Sequence, residues 1–517
     1  MHSYTLSILA AGFLTIATGA SLSAGLQPNI VFILADDMGW SDIGCYGSEI
    51  KTPNIDKLGL GGMRFTQMHN TSKCFPSRAC LLTGVYAHDC GMAYGIGKFT
   101  NAVTLGEVLR PAGYRTLASG KHHCVENLYD RGFDRYFGLR DGACNFFNPG
   151  VQRQGEPVPA QKNPNGRVWC IDSETIKGYT PPDSKFYTTD AFTDYALGYL
   201  DEYKKTEKEE KPFFLYLSYN APHDPLQAWP EDIAKYEGVY DVGYEAIRNA
   251  RDRKQRAMGL IDDTYPQSAP SHPAWASLTE EDRADQARRM QVYAAMIDRL
   301  DQNIGRLLRK LEELGEDKNT LIFFASDNGA SGENVQIGEG EIGSIDRWAS
   351  LQGAWANVCN TPFRFAKNDS HEGGTCTPFI ACWPGKIAPG SRSEFPCHFV
   401  DVMPTFIDIT GADYPIEHNS QTLTPLRGMS LLPVLRGQAT ERTDPLFFQW
   451  AAGRAVRRGN WKLVAGKTKT WELYDVAKDK SETVDLASDH PEIVNELEVL
   501  YQDWIAKHPK PAKKKKE

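Results

Sequence analysis

Four apolar runs in this chain end at residues that suit a site better than a core. Residues 29–35 run into Asp36-Asp37, and residues 114–119 into Gly120-Lys121-His122-His123. Residues 213–219 run into Asn220-Ala221-Pro222-His223, and residues 320–326 into Asp327-Asn328-Gly329. Short runs that are apolar without alternation suit strands buried on both faces, the second being the weakest of the four. Residues 378–383 form a fifth candidate strand. Helical patterns lie between them. Thr52 caps a helix opened by Pro53, with Ile55 and Leu58 on one face. Residues 186–205 and 278–314 are longer helices, the second with Met290, Tyr293, Ile297, Leu300, Ile304, Leu307 and Leu311 at helical spacing. Strands alternating with helices predict an α/β fold, a large and mostly parallel sheet sandwiched by helices. Ligands bind such sheets at the carboxyl ends of the strands, where these polar clusters fall.

After residue 437 the texture changes. Residues 445–450, 455–464 and 470–474 read as short antiparallel strands. Asp489 then caps a last amphipathic helix with Ile493, Leu497, Leu500 and Trp504. A chain of 517 residues exceeds one ordinary core. We therefore expect a catalytic α/β domain over 25–437, a small α+β domain over 438–510 and a basic tail over 511–517. The apolar stretch 6–22, followed by small residues, reads as a signal peptide over residues 1–24, although it lacks an early Lys or Arg. No later stretch approaches the apolar length of a membrane span, so the expectation is an exported protein, periplasmic or secreted. The net charge of −9 argues against nucleic acid as a partner, yet a local cluster of cations can still receive an anion. The 11 cysteines include no Cys-x-x-Cys pair, which argues against zinc or a redox dithiol.

Residues 74–84 read Cys-Phe-Pro-Ser-Arg-Ala-Cys-Leu-Leu-Thr-Gly. Pro76 suits a first helical turn, which puts Cys74 beside a helix N-terminus that attracts anions, with Arg78 one turn on. The bland alternative is a buried cysteine at a strand-to-helix turn. Asp36-Asp37 and Asp327-Asn328 offer four oxygen ligands from two strand ends, the set a hard cation such as calcium prefers. Either dipeptide alone is more often a turn or a cap. Arg78, Lys121 and Lys367 are the cations to place around a bound anion.

The run at 74–84 matches Cys-x-Pro-Ser-Arg-x-x-x-x-Thr-Gly at every fixed position, and through it the chain resembles the type I sulfatases of the alkaline phosphatase superfamily. Ala-Asp-Asp-Met-Gly at 35–39 and Ser-Asp-Asn-Gly at 326–329 are similar to the family's metal segments. Lys121-x-His123, the Pro222-His223 pair, and Lys367 ahead of Glu372-Gly373-Gly374 match three further segments. The family's Gly-Lys-Trp-His here has His122 in place of Trp; spacing favours His123 over His122 as the functional histidine. The resemblance implies that Cys74 is oxidised to Cα-formylglycine by a formylglycine-generating enzyme. It also implies one calcium ion held by Asp36, Asp37, Asp327, Asn328 and residue 74. On the same basis Asp327 takes a proton from the nucleophile, His223 with Lys367 protonates the departing alcohol, and His123 deprotonates the second hydroxyl. The implied function is hydrolysis of an aryl sulfate or a sulfated carbohydrate. A phosphonate or phosphoester hydrolase, or a non-catalytic binder of sulfated glycans, are the alternatives. The loop-like segments 145–182, 228–273 and 330–365, with Trp169, Trp229, Trp275, Trp348 and Trp355, are expected to shape the pocket, as exposed stacking rings or as ordinary core.

Overall fold

The computed structural model describes residues 27–163, 166–206, 211–438 and 441–510; the expected signal peptide and the basic tail lie outside them. The described strands begin with β1 (Asn29–Asp36), β2 (Met63–His69), β3 (Arg115–Gly120), β4 (Arg135–Leu139), β5 (Val168–Ile171), β6 (Glu174–Lys177), β7 (Phe213–Pro222) and β8 (Thr320–Ser326). They continue with β9 (Gln336–Ile337), β10 (Trp348–Ala349), β11 (Cys376–Cys382), β12 (Ser391–Ser393), β13 (Cys397–His398), β14 (Glu417–His418) and β15 (Gln421–Thr422). The last four are β16 (Leu446–Trp450), β17 (Gly453–Arg458), β18 (Trp461–Ala465) and β19 (Glu472–Asp475). The helices are α1 (Pro53–Gly61), α2 (Cys74–Thr83), α3 (Leu105–Leu109), α4 (Thr188–Thr206), α5 (Pro230–Ala234), α6 (Tyr244–Ala257), α7 (Glu280–Glu313), α8 (Gly353–Cys359), α9 (Glu372–Thr375), α10 (Val402–Thr410), α11 (Leu432–Leu435) and α12 (Pro491–Ala506).

The main sheet runs β12-β2-β11-β8-β1-β7-β3-β4-β5-β6, and its centre, β8-β1-β7-β3-β4, is parallel. The fifth expected strand, β11, is antiparallel to β8 and β2. The chain enters it from the carboxyl edge, where Gly329 N–H donates to Gly374 O. Strand β2 has no apolar run to announce it. Its polar side chains are buried because partners satisfy them: Arg64 donates to Cys45 O, Gln67 to Glu394 O, and His69 lies 2.9 Å from Glu372.

Each face of the sheet has its own core. Val31, Ile33 and Ala35 of β1 join a cluster with residues of α1, α4 and α7, while Ile30, Phe32 and Leu34 join one with α2, α10 and α12. Strict alternation along a strand buried on both faces produces this division. All seven apolar residues of the long-helix stripe are buried in α7. Each contributes on the order of 1.5–3 kcal/mol relative to exposure.

Several local expectations are corrected. Thr52 holds the N-cap position of α1 ahead of Pro53, but its side chain makes no capping hydrogen bond; its hydroxyl accepts from Gly44 N–H and donates to Asp56 instead. His490, not Asp489, occupies the capping position of α12, and Pro491 opens the helix without a side-chain cap. Residues 455–464 are two strands, β17 and β18, because Gly459 turns the chain at φ 56°. Strands β16 to β19 form one antiparallel sheet. The segment 228–273 contains α6, whose inward face is built from Arg248, Arg251 and Gln255 as well as Tyr244 and Ile247, so its apolar period is weak. Trp169, Trp348 and Trp355 are fully buried core residues; Trp229 and Trp275 are half-buried. All 11 cysteines are buried free thiols, with no disulfide between them. No helix among the described residues is long and apolar enough to cross a membrane.

Candidate active site

Four parallel strands stand side by side as β8-β1-β7-β3, so the polar clusters at their carboxyl ends converge. Strand β1 delivers Asp36 and then Asp37, held at φ 65°. Strand β8 delivers Asp327 and Asn328, and β7 leads into His223. Strand β3 ends at Gly120, where φ is 117° and a Cβ would lie 1.8 Å from Ser218 O; only glycine lets Lys121 turn inward here.

Cys74 is the first residue of α2 and is 1% exposed. Ser77 fixes the turn before it: its hydroxyl accepts from Thr71 N–H at 3.1 Å and lies 2.9 Å from the Thr71 hydroxyl. Arg78 Nε donates to Asp327 Oδ2 at 2.8 Å, and Nη1 donates to Lys121 O and to Ser218 Oγ. Cys74 lies close enough to Arg78 and Lys367 to interact electrostatically with both. Lys121 Nζ donates to Asp36 Oδ2 at 2.5 Å, and Lys367 Nζ to the Asp37 carboxylate at 2.7 Å. Nε2 of His223 is 3.5 Å from Asp37, while its Nδ1 is 2.7 Å from the Asp224 carbonyl.

The two adjacent histidines part company. His123 sits edge-on to Phe75 and against Gly142, where a Cβ would come within 2.5 Å of the imidazole. The charges it feels are those of Lys121, Arg78, His223 and Lys367. His122 faces Phe99 instead, within reach of the charges of Arg78, Arg131 and Arg140, and neither ring nitrogen has a hydrogen-bond partner.

Burial alone would raise the Asp36 and Asp37 carboxyls. Lys121 and His223 near Asp36, and His223 and Lys367 near Asp37, outweigh it and hold both below the ordinary 3.8. Asp327 moves the other way: burial, then Asp36, push it up to about 6 against the pull of Arg78. Burial also works against a charged His223, but Asp37, Asp36 and Asp224 overcome it and raise its pKa. In His123 burial and then the cations Lys121 and Arg78 act together, and its pKa falls well below 6.5. The surroundings thus push the two histidines apart, favouring the protonated form of His223 and the neutral form of His123.

The residues fit a hard divalent cation. Asp36 Oδ1 and Asn328 Oδ1 are buried without any hydrogen-bond partner, and Asp37 accepts from Asn328 Nδ2 at 2.7 Å beside them. Asp36, Asp37 and His223 present ligand atoms within 4.8 Å of one another. An all-oxygen set from two strand ends is the chemistry such an ion selects.

Some partners had no signal in the sequence. Ser218 and Gly142 act through tertiary contact alone. Asp224 could have been noticed as the residue after His223; its carboxylate accepts from the Ser350 hydroxyl. At the rim, Glu333 lies 3.6 Å from Lys73 and 3.5 Å from Lys162. Trp450, reaching across from β16, packs edge-on against Phe75 and donates to Asn368 Oδ1 at 2.9 Å.

Comparison with known proteins agrees with this geometry. The sulfatase family model matches residues 28–412, and that of the N-sulphoglucosamine sulphohydrolase C-terminal region matches 363–504. A sulfatase of Schizosaccharomyces pombe is 33% identical, covering 91% of this chain and 92% of its own length. An arylsulfatase of Klebsiella aerogenes is 32% identical over 82% of this chain and 96% of its own. The crystal structure of Ps i-CgsB in complex with k-i-k-neocarrahexaose superposes with a TM-score of 0.69 at 26% identity, covering 94% of each chain.

Proposed function

The chain belongs to the sulfatase family, whose activity is sulfate ester hydrolysis, and we propose that it acts on sulfated saccharides with residue 74, as formylglycine, for its nucleophile and calcium for its metal. The observation that carries this reading is the position of Cys74 at the start of α2. It lies within electrostatic reach of Arg78 and Lys367, in the site where Asp36 and Asn328 keep oxygens without hydrogen-bond donors. The saccharide follows from the likeness to Ps i-CgsB, which binds a neocarrahexaose.

When present, the hydrated aldehyde offers two hydroxyls on one carbon, one to attack sulfur and one to let sulfate depart, while the cation, held by Asp36, Asp37, Asp327 and Asn328, offsets negative charge. The chain's own residues do the rest. A sulfate ester is an anion, and Arg78, Lys121 and Lys367 cancel its charge so that a nucleophile can approach. Asp327 accepts the proton of the attacking hydroxyl. The carboxylates around His223 favour its protonated form; with Nδ1 committed to Asp224, Nε2 donates to the departing alcohol. His123, kept neutral, accepts the proton of the second hydroxyl.

Cys74 is closed off in the folded protein, so a formylglycine-generating enzyme must reach it before folding is complete. We place the mature protein outside the cytoplasm, after removal of residues 1–24, with 25–437 as the catalytic domain and 438–510 as the smaller one. Protein co-expressed with a formylglycine-generating enzyme should show a loss of about 18 Da on the Cys74 peptide, the thiol-to-aldehyde difference. An unmodified thiol in fully active protein refutes the nucleophile. Turnover of 4-methylumbelliferyl sulfate against the matching phosphate tests the reaction class, and a large phosphate preference sinks the sulfatase reading.

A further inference from the structure

Strand β17 places Arg457 directly opposite Lys462 of β18. Both are buried, and like charges facing each other across an antiparallel pair destabilise it unless each finds an anion. Lys462 takes both nearby carboxylates, Glu372 at 2.6 Å and Glu482 at 2.7 Å. Arg442, the next guanidinium, is ion-paired with Asp401 and donates to Pro396 O. Arg457 is left over. It is 7% exposed, its Nε has no hydrogen-bond partner, and no carboxylate pairs with it among the described residues. Burial lowers its pKa below the ordinary 12.5, and Glu372 offsets this only in part.

Arg457 lines a cleft of about 710 Å³ between the edge strand β12 and the C-terminal sheet. Arg392, Arg442 and Lys480 line it too, with Glu394 and Glu441 as its acids. Glu394 is already held by Arg392 at 2.8 Å and Lys480 at 3.4 Å, and Glu441 is exposed. None of these residues belongs to the active site. A largely buried cation without an ion-pair partner is costly, and an anion from outside the chain would lower that cost. A guanidinium matches two oxygens of one oxyanion at once.

We propose that this cleft is a second anion site, remote from Cys74, in which Arg457 holds one sulfate group, either as the free ion or as an ester carried on a saccharide chain. The choice of sulfate among oxyanions rests on the family reading; the unpaired arginine does not.

The test compares wild type, Arg457→Met and Lys480→Gln in two arms: equilibrium dialysis of radiolabelled sulfate, and calorimetric titration with a chondroitin 6-sulfate tetrasaccharide. Wild type should bind a component whose affinity falls about tenfold or more in Arg457→Met and falls also in Lys480→Gln. A loss in the sulfate arm assigns the free ion, and a loss in the tetrasaccharide arm alone assigns a chain-borne group. In chloride buffer Arg457→Met should melt no lower than wild type, since it removes an unpaired buried charge. Sulfate should then raise the wild-type Tm more than the variant's, above the salting effect common to both. Equal binding by all three proteins in both arms, or an Arg457→Met variant that is strongly destabilised in chloride, overturns the proposal. Turnover of an aryl sulfate by wild type is scored separately, so failure of this cleft is distinct from failure of the catalytic reading.

Discussion

His122 and His123 are neighbours in sequence that the fold sends to different places. The sequence favours His123 by spacing alone, and the structure gives a physical reason: His123 feels Lys121, Arg78 and Lys367 together, whereas of these only Arg78 is among the main charges acting on His122. His123→Gln should lower kcat by about 10²- to 10⁴-fold, the range for loss of a proton-transfer group. His122→Phe should keep turnover close to wild type, because the His122 ring makes no hydrogen bond and meets only Phe99 among the aromatic rings. A comparable loss in both would show that the assignment is wrong. His122 also predicts a pH effect on stability. Burial, with Arg78, Arg131 and Arg140 adding to it, pushes its pKa down to about 3 from 6.5. The folded state therefore resists the proton that the unfolded chain accepts. Stability is complete above about pH 6.5 and is lost as pH falls toward 3, with a cost of about 2 kcal/mol by pH 5. Tm followed from pH 7 to 4.5 should fall less steeply in His122→Phe than in wild type. Parallel slopes would remove this histidine from the account.

At the scale of elements, β1, β7 and β8 were legible because each is almost wholly apolar and ends abruptly, while β3, with Arg115, Thr116 and Ser119, was the weakest of the four. That pattern belongs to a parallel sheet buried on both faces. Strand β2 and helix α6 were not legible, because tertiary partners rather than apolar period bury their polar residues. The loop tryptophans misled for a related reason: sequence cannot distinguish a ring that shapes a pocket from one that fills the core, and three of the five fill it. The strand ends make their own prediction. Asp36 Oδ1 and Asn328 Oδ1 are buried acceptors without donors, a costly state that a cation relieves. Dialysis against EGTA should lower Tm, and calcium should restore it; occupancy at about 100 times Kd corresponds to about 2.7 kcal/mol. Asn328→Ala should flatten that response. A Tm indifferent to chelation and to added calcium would count against a metal bridging β1 and β8.

Over the whole molecule, the C-terminal sheet and α12 complete a core that the larger sheet begins. Val456, Leu463, Leu497, Tyr501 and Trp504 share one apolar cluster with Phe75, Leu82 and Met403. Trp504 stacks on Phe447 at 4.9 Å and meets Tyr86 edge-on at 5.7 Å, just beyond the helix that begins at Cys74. A change of texture in the sequence marked where these elements start, but texture carries no information about what they lean on. Charge ties the same parts together: Lys462 of β18 bridges Glu372 at the entry to β11 and Glu482 beyond β19. Such a shared core predicts that the two regions unfold together. Trp504→Ala, a truncation 137 positions along the chain from Lys367, the nearest expected catalytic residue, removes the stacking and leaves a cavity beside Tyr86 and Phe447. It should cost about 3–5 kcal/mol. In urea, tryptophan fluorescence, far-ultraviolet circular dichroism and residual turnover should all shift to lower denaturant together. If turnover instead survived a first transition that reports on the C-terminal sheet, that sheet would be an independent appendage and the shared core would have no energetic meaning.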